Sequence, residues 1–351
     1  MARTFSLSMP SQRGFSLVEL MVGLVIGLVS TLVIMQAYAT FEGQKRSTTG
    51  GSDAQTNAGI ALYNIQREMA MAGYGLPVFS TVNPALLCDP LPTIDHDNDG
   101  ATPEAGMYPI LLTDGGTAAG ASDTITVRYG TTPSGGVPVT TSVTGASATV
   151  VNNMGCQAND IALLVNGTTC DLRRVAALPD ATHVLLASPP TITSGIIACM
   201  GTWNETVYAV AGGLLTRNGA SNVADIVNIQ AQYGISAIAS SNAIVQWVDP
   251  VGGTWGASGT TPDLTNRNLI KAVRIAVVAR NGLYEKEVVS TACSSTTAAN
   301  PTGVCTWEGT AASPAPAIDL SNTPDWDHYR YRVYDVIVPL RNVIWSMNTL
   351  S

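Results

Sequence analysis

The chain has 351 residues, only 12% of them charged, with 17 Lys and Arg against 25 Asp and Glu and a formal net charge of -8. That acidity argues against broad electrostatic binding to nucleic acid, and loops rich in Thr, Ser, Ala, Gly and Asn suit an exported domain better than a cytosolic enzyme. The length exceeds that of a typical single domain, although one large β-rich domain can absorb it.

Met1 to Gly14 is short and polar, with Arg3 and Arg13 and no acid. Phe15 to Ala39 then runs for 25 residues with Glu19 as its single charged side chain. At about 1.5 Å per residue a helix of that length crosses a bilayer core of about 30 Å. A carboxylate inside such a helix costs roughly 2.5 to 3.5 kcal/mol on insertion scales and needs a partner, so Glu19 is the residue to explain. In a secretory signal the cut follows the apolar run, whereas here the plausible cut precedes it, after Gly14. Cutting there keeps the helix, removes two cations and leaves a new amine on Phe15, four residues before Glu19.

Within GFSLVEL, the residues Gly14, Phe15 and Glu19 resemble the type IV pilin family, whose precursors carry a basic leader, a Gly at the cut, Phe, and a Glu at the fifth mature position. The resemblance implies cleavage by a prepilin peptidase, N-methylation of Phe15 and packing of the helix into a filament core. It also implies a role for Glu19, neutralising the amino terminus of a neighbouring subunit and so setting axial register. The implied location is the inner membrane, single-pass with a periplasmic domain, and then the pilus surface.

Beyond residue 40 the helix is expected to continue. Phe41 to Gly51 is polar and ends in Gly50-Gly51, a soft point. Ala54, Ala58, Ala61, Leu62, Ile65, Met69 and Ala72 then recur at helical spacing, an apolar stripe for a sheet, with Asp53, Asn57, Asn64, Arg67 and Glu68 mostly off it. Gly73-Tyr74-Gly75-Leu76-Pro77 stops the helix. The chain therefore divides into a leader (1–14), a membrane or filament-core helix (15–39), its amphipathic continuation (40–76) and a β-rich globular domain (77–351).

Asp95-His96-Asp97-Asn98-Asp99-Gly100 matches the first half of a calcium loop, with Asp95, Asp97 and Asp99 as oxygen ligands. The match fails where a bidentate Glu is needed, since Gly106 stands there and Glu104 comes two residues early. Calcium is thus a possible cofactor and a solvated acidic turn the alternative; no other cofactor is implied.

Six cysteines make an even set, which favours disulfides in an exported domain. About 15 pairings are open to six cysteines. Cys156 with Cys170 and Cys293 with Cys305 close short loops, leaving Cys88 with Cys199. Zinc has little support, because no CxxC occurs and His96, His183 and His328 are not spaced as ligands.

From Asp123 onward strands dominate: Thr124 to Tyr129, Ile161 to Val165 and His183 to Ala187, with Gly130 to Asn159 open between a hairpin and a surface loop. Glu205 to Arg217 reads as two strands about Gly212-Gly213. Lys271 to Arg280 sets Val273, Ile275, Val277 and Ala279 on an apolar face directed at the helix. Tyr329 to Pro339 alternates similarly, and its Arg and Tyr side chains read as an exposed sheet face, Arg stems covering apolar surface and pairing with Asp335 or Asp327.

The carboxyl-terminal sequence, the hairpin near Gly212 and the YGI at Tyr233 to Ile235 resemble the PilW group of minor pilins. The resemblance implies a low-abundance subunit that helps prime assembly, with other minor pilins, the major pilin and a large tip adhesin as partners. A pseudopilin of type II secretion shares the same leader, and an adhesin or DNA-capture subunit is a third reading. No Walker loop, HExxH or GxSxG occurs, so no reaction is assigned. The expected fold is α+β and pilin-like: one long helix packed by its distal half on an antiparallel sheet with disulfide-bonded loops.

Overall fold

The computed structural model describes residues 14–77, 88–95, 105–133, 136–256 and 262–347. The chain divides into two compact units, Met1–Gly50 and Gly51–Ser351, and helix α1 (Leu17–Met69) contributes residues to both. The division falls between Gly50 and Gly51, the pair expected to be soft, although helical structure is assigned at both.

In the first unit every residue from Gly14 to Phe41 is exposed. Hydroxyls in this apolar stretch turn back onto the helix: Thr31 Oγ1 donates to Gly27 O at 2.8 Å and Thr40 Oγ1 to Gln36 O at 2.9 Å. Such back-bonding leaves those hydroxyls satisfied without water.

In the second unit α1 buries Ala54, Ala58, Ala61, Ile65 and Met69, each at most 1% exposed, with Leu62 packed against the same cluster. The predicted stripe is therefore the helix's core face. Its alanines let the backbone approach the strands closely, while Ile65 and Met69 supply the bulk further along. One predicted surface residue departs from this. Glu68 is 7% exposed because it meets Arg217 of the sheet. The helix gives way to turns before Gly75, whose φ is +81° and whose absent Cβ would lie 3.1 Å from both Gly130 Cα and Met200 O. A side chain there would be strained by the backbone conformation and crowded by both neighbours.

The strands fall into four groups where one sheet was expected. β1 (Thr93–Ile94) and β2 (Ala105–Gly106) form a short ladder. β3 (Ile110–Thr113) and β4 (Thr124–Tyr129) begin a larger sheet. The chain then leaves to build a closed six-stranded barrel from β5 (Val139–Thr144), β6 (Ser147–Val150), β7 (Ile161–Asn166), β8 (Thr169–Asp180), β9 (His183–Leu186) and β10 (Ser194–Cys199). It returns as β11 (Asn204–Ala211), which pairs with β4 so that Asn204 lies opposite Tyr129. β12 (Leu214–Arg217) and β13 (Ala220–Ala224) complete a five-stranded sheet of order β13-β12-β11-β4-β3. The β11 to β12 turn is Gly212-Gly213 at φ +58° and +76°, the hairpin expected there.

A last sheet has the order β15-β14-β16-β17, from β14 (Ile226–Ser236), β15 (Ile244–Val248), β16 (Ile270–Arg280) and β17 (Tyr331–Pro339). Short helices α2 (Gly252–Trp255), α3 (Leu264–Arg267) and α4 (Arg341–Met347) fill the connections and the end.

The barrel has a physical cause in the run IALLV of β7. Ile161, Leu163 and Val165 join the main core with the helix stripe, while Ala162 and Leu164 join a second core with Val143, Val150, Val184 and Ile197. A strand apolar on both faces needs a layer on each side, and the barrel interior supplies the second. The stretch from Gly130 to Asn159, left open by its composition, contributes the β5–β6 hairpin.

β16 is likewise buried on both faces. Val273, Ile275, Val277 and Ala279 share the main core with the helix stripe, as expected. Val278 packs with Val304, Ile318 and Leu320, and Ala276 with Trp307 and Ala315, all from the loop between β16 and β17. Arg274 stacks over Trp307 at 4.3 Å and pairs with Asp335 at 3.1 Å. Arg330 meets Glu285 rather than either aspartate.

Two of the three disulfides differ from expectation. The pairs are Cys88–Cys170, Cys156–Cys199 and Cys293–Cys305, so only the last was read correctly. Cys156 and Cys170 are near in sequence but sit at opposite ends of the β7–β8 hairpin: Cys170 faces Val165 by the turn, while Cys156 precedes the strand's open end. Cys199 stands opposite Ala162 at that open end and is the partner within reach. The longer loops cross-link more chain. With separations of 82, 43 and 12 residues, loop entropy alone assigns about 4.5, 4.0 and 2.8 kcal/mol.

Candidate functional site

The residues singled out near the amino terminus lie at the start of α1. Gly14 and Phe15 precede the helix, and the Phe15 side chain is 85% exposed. Ser16 is the residue before the first helical turn. Its backbone N–H donates to Glu19 Oε2 at 3.1 Å, and its Oγ accepts from Val18 N at 3.3 Å. Glu19 thus supplies the carboxylate half of a capping box, while the Ser16 hydroxyl takes the N–H of the second helical residue rather than that of Glu19. The signature S-x-x-E is legible at Ser16 to Glu19, a cap that the insertion cost of the carboxylate alone does not reveal. The cap supplies the local part of an answer: one carboxylate oxygen has a donor within its own chain, and the negative charge sits where the helix dipole favours it.

From Leu17 to Phe41 the surface is a continuous band of exposed aliphatic side chains, including Leu24, Val25, Leu28, Leu32 and Ile34. Such an area far exceeds what a monomer leaves open to water. By length and composition α1 is able to cross a membrane, with mean hydropathy 2.5 in its most apolar window. Gly23 and Gly27 have nothing within 4 Å of where a Cβ would stand, and their spacing gives a shallow notch on the band.

In the second unit the unusual ionisable groups serve packing. Glu68 Oε1 accepts from Arg217 Nε at 2.9 Å and Nη2 at 2.6 Å, and Tyr208 donates to Asn64 O at 3.3 Å. Burial, with the charge of Glu68 beside it, pushes the Tyr208 hydroxyl up to about 12. Asp123 is 2% exposed and accepts from Gly115 N at 3.0 Å and Ala231 N at 2.7 Å, stitching the loop after β3 to β14. Burial raises its pKa to about 7 against those two donors. Lys271, donating to Ala239 O at 2.7 Å, is lowered by burial to about 8. None of these groups is set beside a nucleophile in the manner of a catalytic pair.

Of the calcium candidates only Asp95 is described. Its carbonyl accepts from Arg174 Nη2 at 2.9 Å; Asp97 and Asp99 lie outside the described residues. Among the described residues no cluster of three or more His, Cys, Asp or Glu side chains could hold a metal.

Two family models match the chain. The prokaryotic N-terminal methylation motif covers residues 9–35, which contain the exposed Gly14-Phe15 step, the capped Glu19 and the Gly23 notch. The type IV pilus-assembly protein W model covers residues 205–342, from β11 through the last sheet. These are type IV pilus signatures. Both matched families are structural pilin or pilus-assembly families and not enzymes. The barrel, residues 139–199, falls outside both matches. No curated protein and no solved structure matches the chain.

Proposed function

We propose that this chain is a minor pilin of a type IV pilus: it is cut after Gly14, methylated on Phe15, held in the inner membrane by α1, and then built into the fibre, where it helps to prime assembly. The observation that carries this reading is the wholly exposed aliphatic band from Leu17 to Phe41 beginning at a methylation-type motif. Such a band requires lipid before assembly and neighbouring helices after it. Glu19 has two successive duties here. In the single chain it caps its own first turn, and in the fibre it meets the new amine of a neighbouring subunit. Prepilin peptidase, the major pilin, other minor pilins and a tip adhesin are the partners that follow.

The decisive measurement is the mass of the amino-terminal peptide from cells. It should begin with N-methylated Phe15, and Gly14→Val should retain the leader; a wild-type protein that begins at Met1 overturns the assignment. Glu19→Gln keeps the capping box but not the charge, so it should be processed normally and enter fibres poorly. Wild-type incorporation of that variant would remove the inter-subunit role and leave only the cap. Counting surface fibres and assaying enzyme secretion in one deletion strain separates this reading from a type II secretion pseudopilin, which loses export and keeps its pili.

A further inference from the structure

Most arginines drawn into the second unit have an acceptor. Arg128 meets Glu205, Arg173 meets Asp171, Arg217 meets Glu68 and Arg274 meets Asp335. Arg280, the last residue of β16, is different. It is half-buried, its Nε is buried without a hydrogen-bond partner, and among the described residues no carboxylate pairs with its side chain. Its guanidinium lies over the ring of Tyr329, with Cζ 5.0 Å from the ring centre. A partly desolvated guanidinium with no counter-charge is costly, and an anion that reached it would offset that cost.

The place where an anion could reach it is a cleft of about 290 Å³ formed by the Gly212-Gly213 turn, the loop at Asn322 and Thr323, and Tyr331, with Arg280 in its wall. No acidic residue lines it. Arg280 Nη2 faces the turn, 3.9 Å from where a Cβ on Gly213 would stand, so the turn is open at the guanidinium because it lacks side chains. Tyr331 donates its hydroxyl to Trp326 O, which fixes the ring as a wall. Asn322 is exposed and Thr323 half-buried; the Thr323 hydroxyl donates to Asn322 Oδ1 at 3.5 Å, which leaves the amide N–H groups of Asn322 and the accepting side of the hydroxyl at the rim.

We infer that this cleft is a binding site for a carboxylate-bearing sugar residue, of the hexuronic or sialic acid kind. A single guanidinium balances a single negative charge, and its planar fork matches a carboxylate in two parallel hydrogen bonds. A phosphate dianion would call for more cationic partners than the one present. The rim amide and hydroxyl, together with the side-chain-free turn, suit a ring carrying several hydroxyls. Val210, Val227 and Leu320 also line the cleft, with Leu320 and Val227 packed into the core beneath it. A bare acidic side chain would leave all of these unused. The size admits one ring rather than an extended strand.

The test is titration of the full-length chain in detergent micelles with D-glucuronate, D-glucose, acetate and inorganic phosphate, read by ligand-observed NMR. Glucuronate should bind, with glucose and acetate each weaker by about tenfold or more and phosphate no competitor, since a charge-assisted hydrogen-bond pair is worth about ten- to a hundredfold in affinity. Arg280→Gln should weaken glucuronate by the same factor with an unchanged unfolding temperature, and Asn322→Ala by a few-fold. Equal binding of acetate and glucuronate would show that no ring is recognised, and equal binding of glucose that no carboxylate is. Either result, no glucuronate binding at all, or an undiminished Arg280→Gln, overturns the site. Should Arg280→Gln fail to fold, the four ligands on the wild-type chain still decide.

Discussion

Two stretches of the long helix solve opposite problems. From Leu17 to Phe41 large aliphatic side chains point outward with no partner in the chain, whereas from Ala54 to Met69 alanines are buried to the last per cent against strands. Hydrophobicity alone does not tell the two apart. What does is the outward face, where Gln55, Thr56, Gln66 and Arg67 stand exposed in the second stretch, whereas the first is exposed and mainly aliphatic all round. An apolar band without a polar face is built for lipid or for copies of itself, and one with a polar face is built for its own domain.

The sharpest way to break that contrast is to remove what fastens the second unit. Replacing Cys88 and Cys170 together by Ala should cost about 2 to 5 kcal/mol in denaturant unfolding, while the helicity of the first unit stays as it was. Next comes the same substitution made in both stretches. Ala61→Leu overpacks a fully buried position and should lose about 1 to 3 kcal/mol. Ala37→Leu, at an exposed position, should leave the unfolding midpoint untouched. A wild-type midpoint for Ala61→Leu would mean that the stripe is not core.

Asp123 gives the second unit a pH signature. Burial raises its folded pKa to about 7, above the ordinary aspartate value of 3.8. The folded state therefore holds a proton that the unfolded state releases, and the contribution is complete below pH 4 and fades as pH rises through 7. Asp123→Asn should flatten the stability profile between those limits, and a slope identical to wild type would assign it to other groups. The smallest effect belongs to the cap. Ser16→Ala should lower the stability of the first helical turn by about 1 kcal/mol, visible as faster amide exchange near Leu17 and invisible in global unfolding.

Sequence made the two ends of this molecule readable and left its middle dark. Gly14, Phe15 and Glu19 carry a local motif, the stripe from Ala54 to Ala72 has a period, and Gly212-Gly213 names its own turn, so each is decided within a few residues. The barrel is decided by pairings such as Ile196 with Thr140 on one side and Val165 on the other. Neither partner is adjacent in sequence, and no local pattern encodes which strands close the ring. The misassigned cysteines share that cause, because reach depends on which end of a hairpin a residue occupies. Glu68 was placed on the surface because a helix pattern cannot reveal an arginine arriving from residue 217. Arg280 is legible only as the last residue of a strand, and its want of a counter-charge emerges with the cleft around it.

The barrel departs after Tyr129 and comes back at Asn204, and these two residues stand side by side on neighbouring strands. Its entrance and exit are thus one strand spacing apart, about 5 Å, and a tight turn could in principle replace everything between them. Yet Ile161, Leu163 and Val165 plug the main core, so the detour is also a lid. A lineage could redecorate the far side of that lid at little risk to the main core, provided those three inward residues stay greasy.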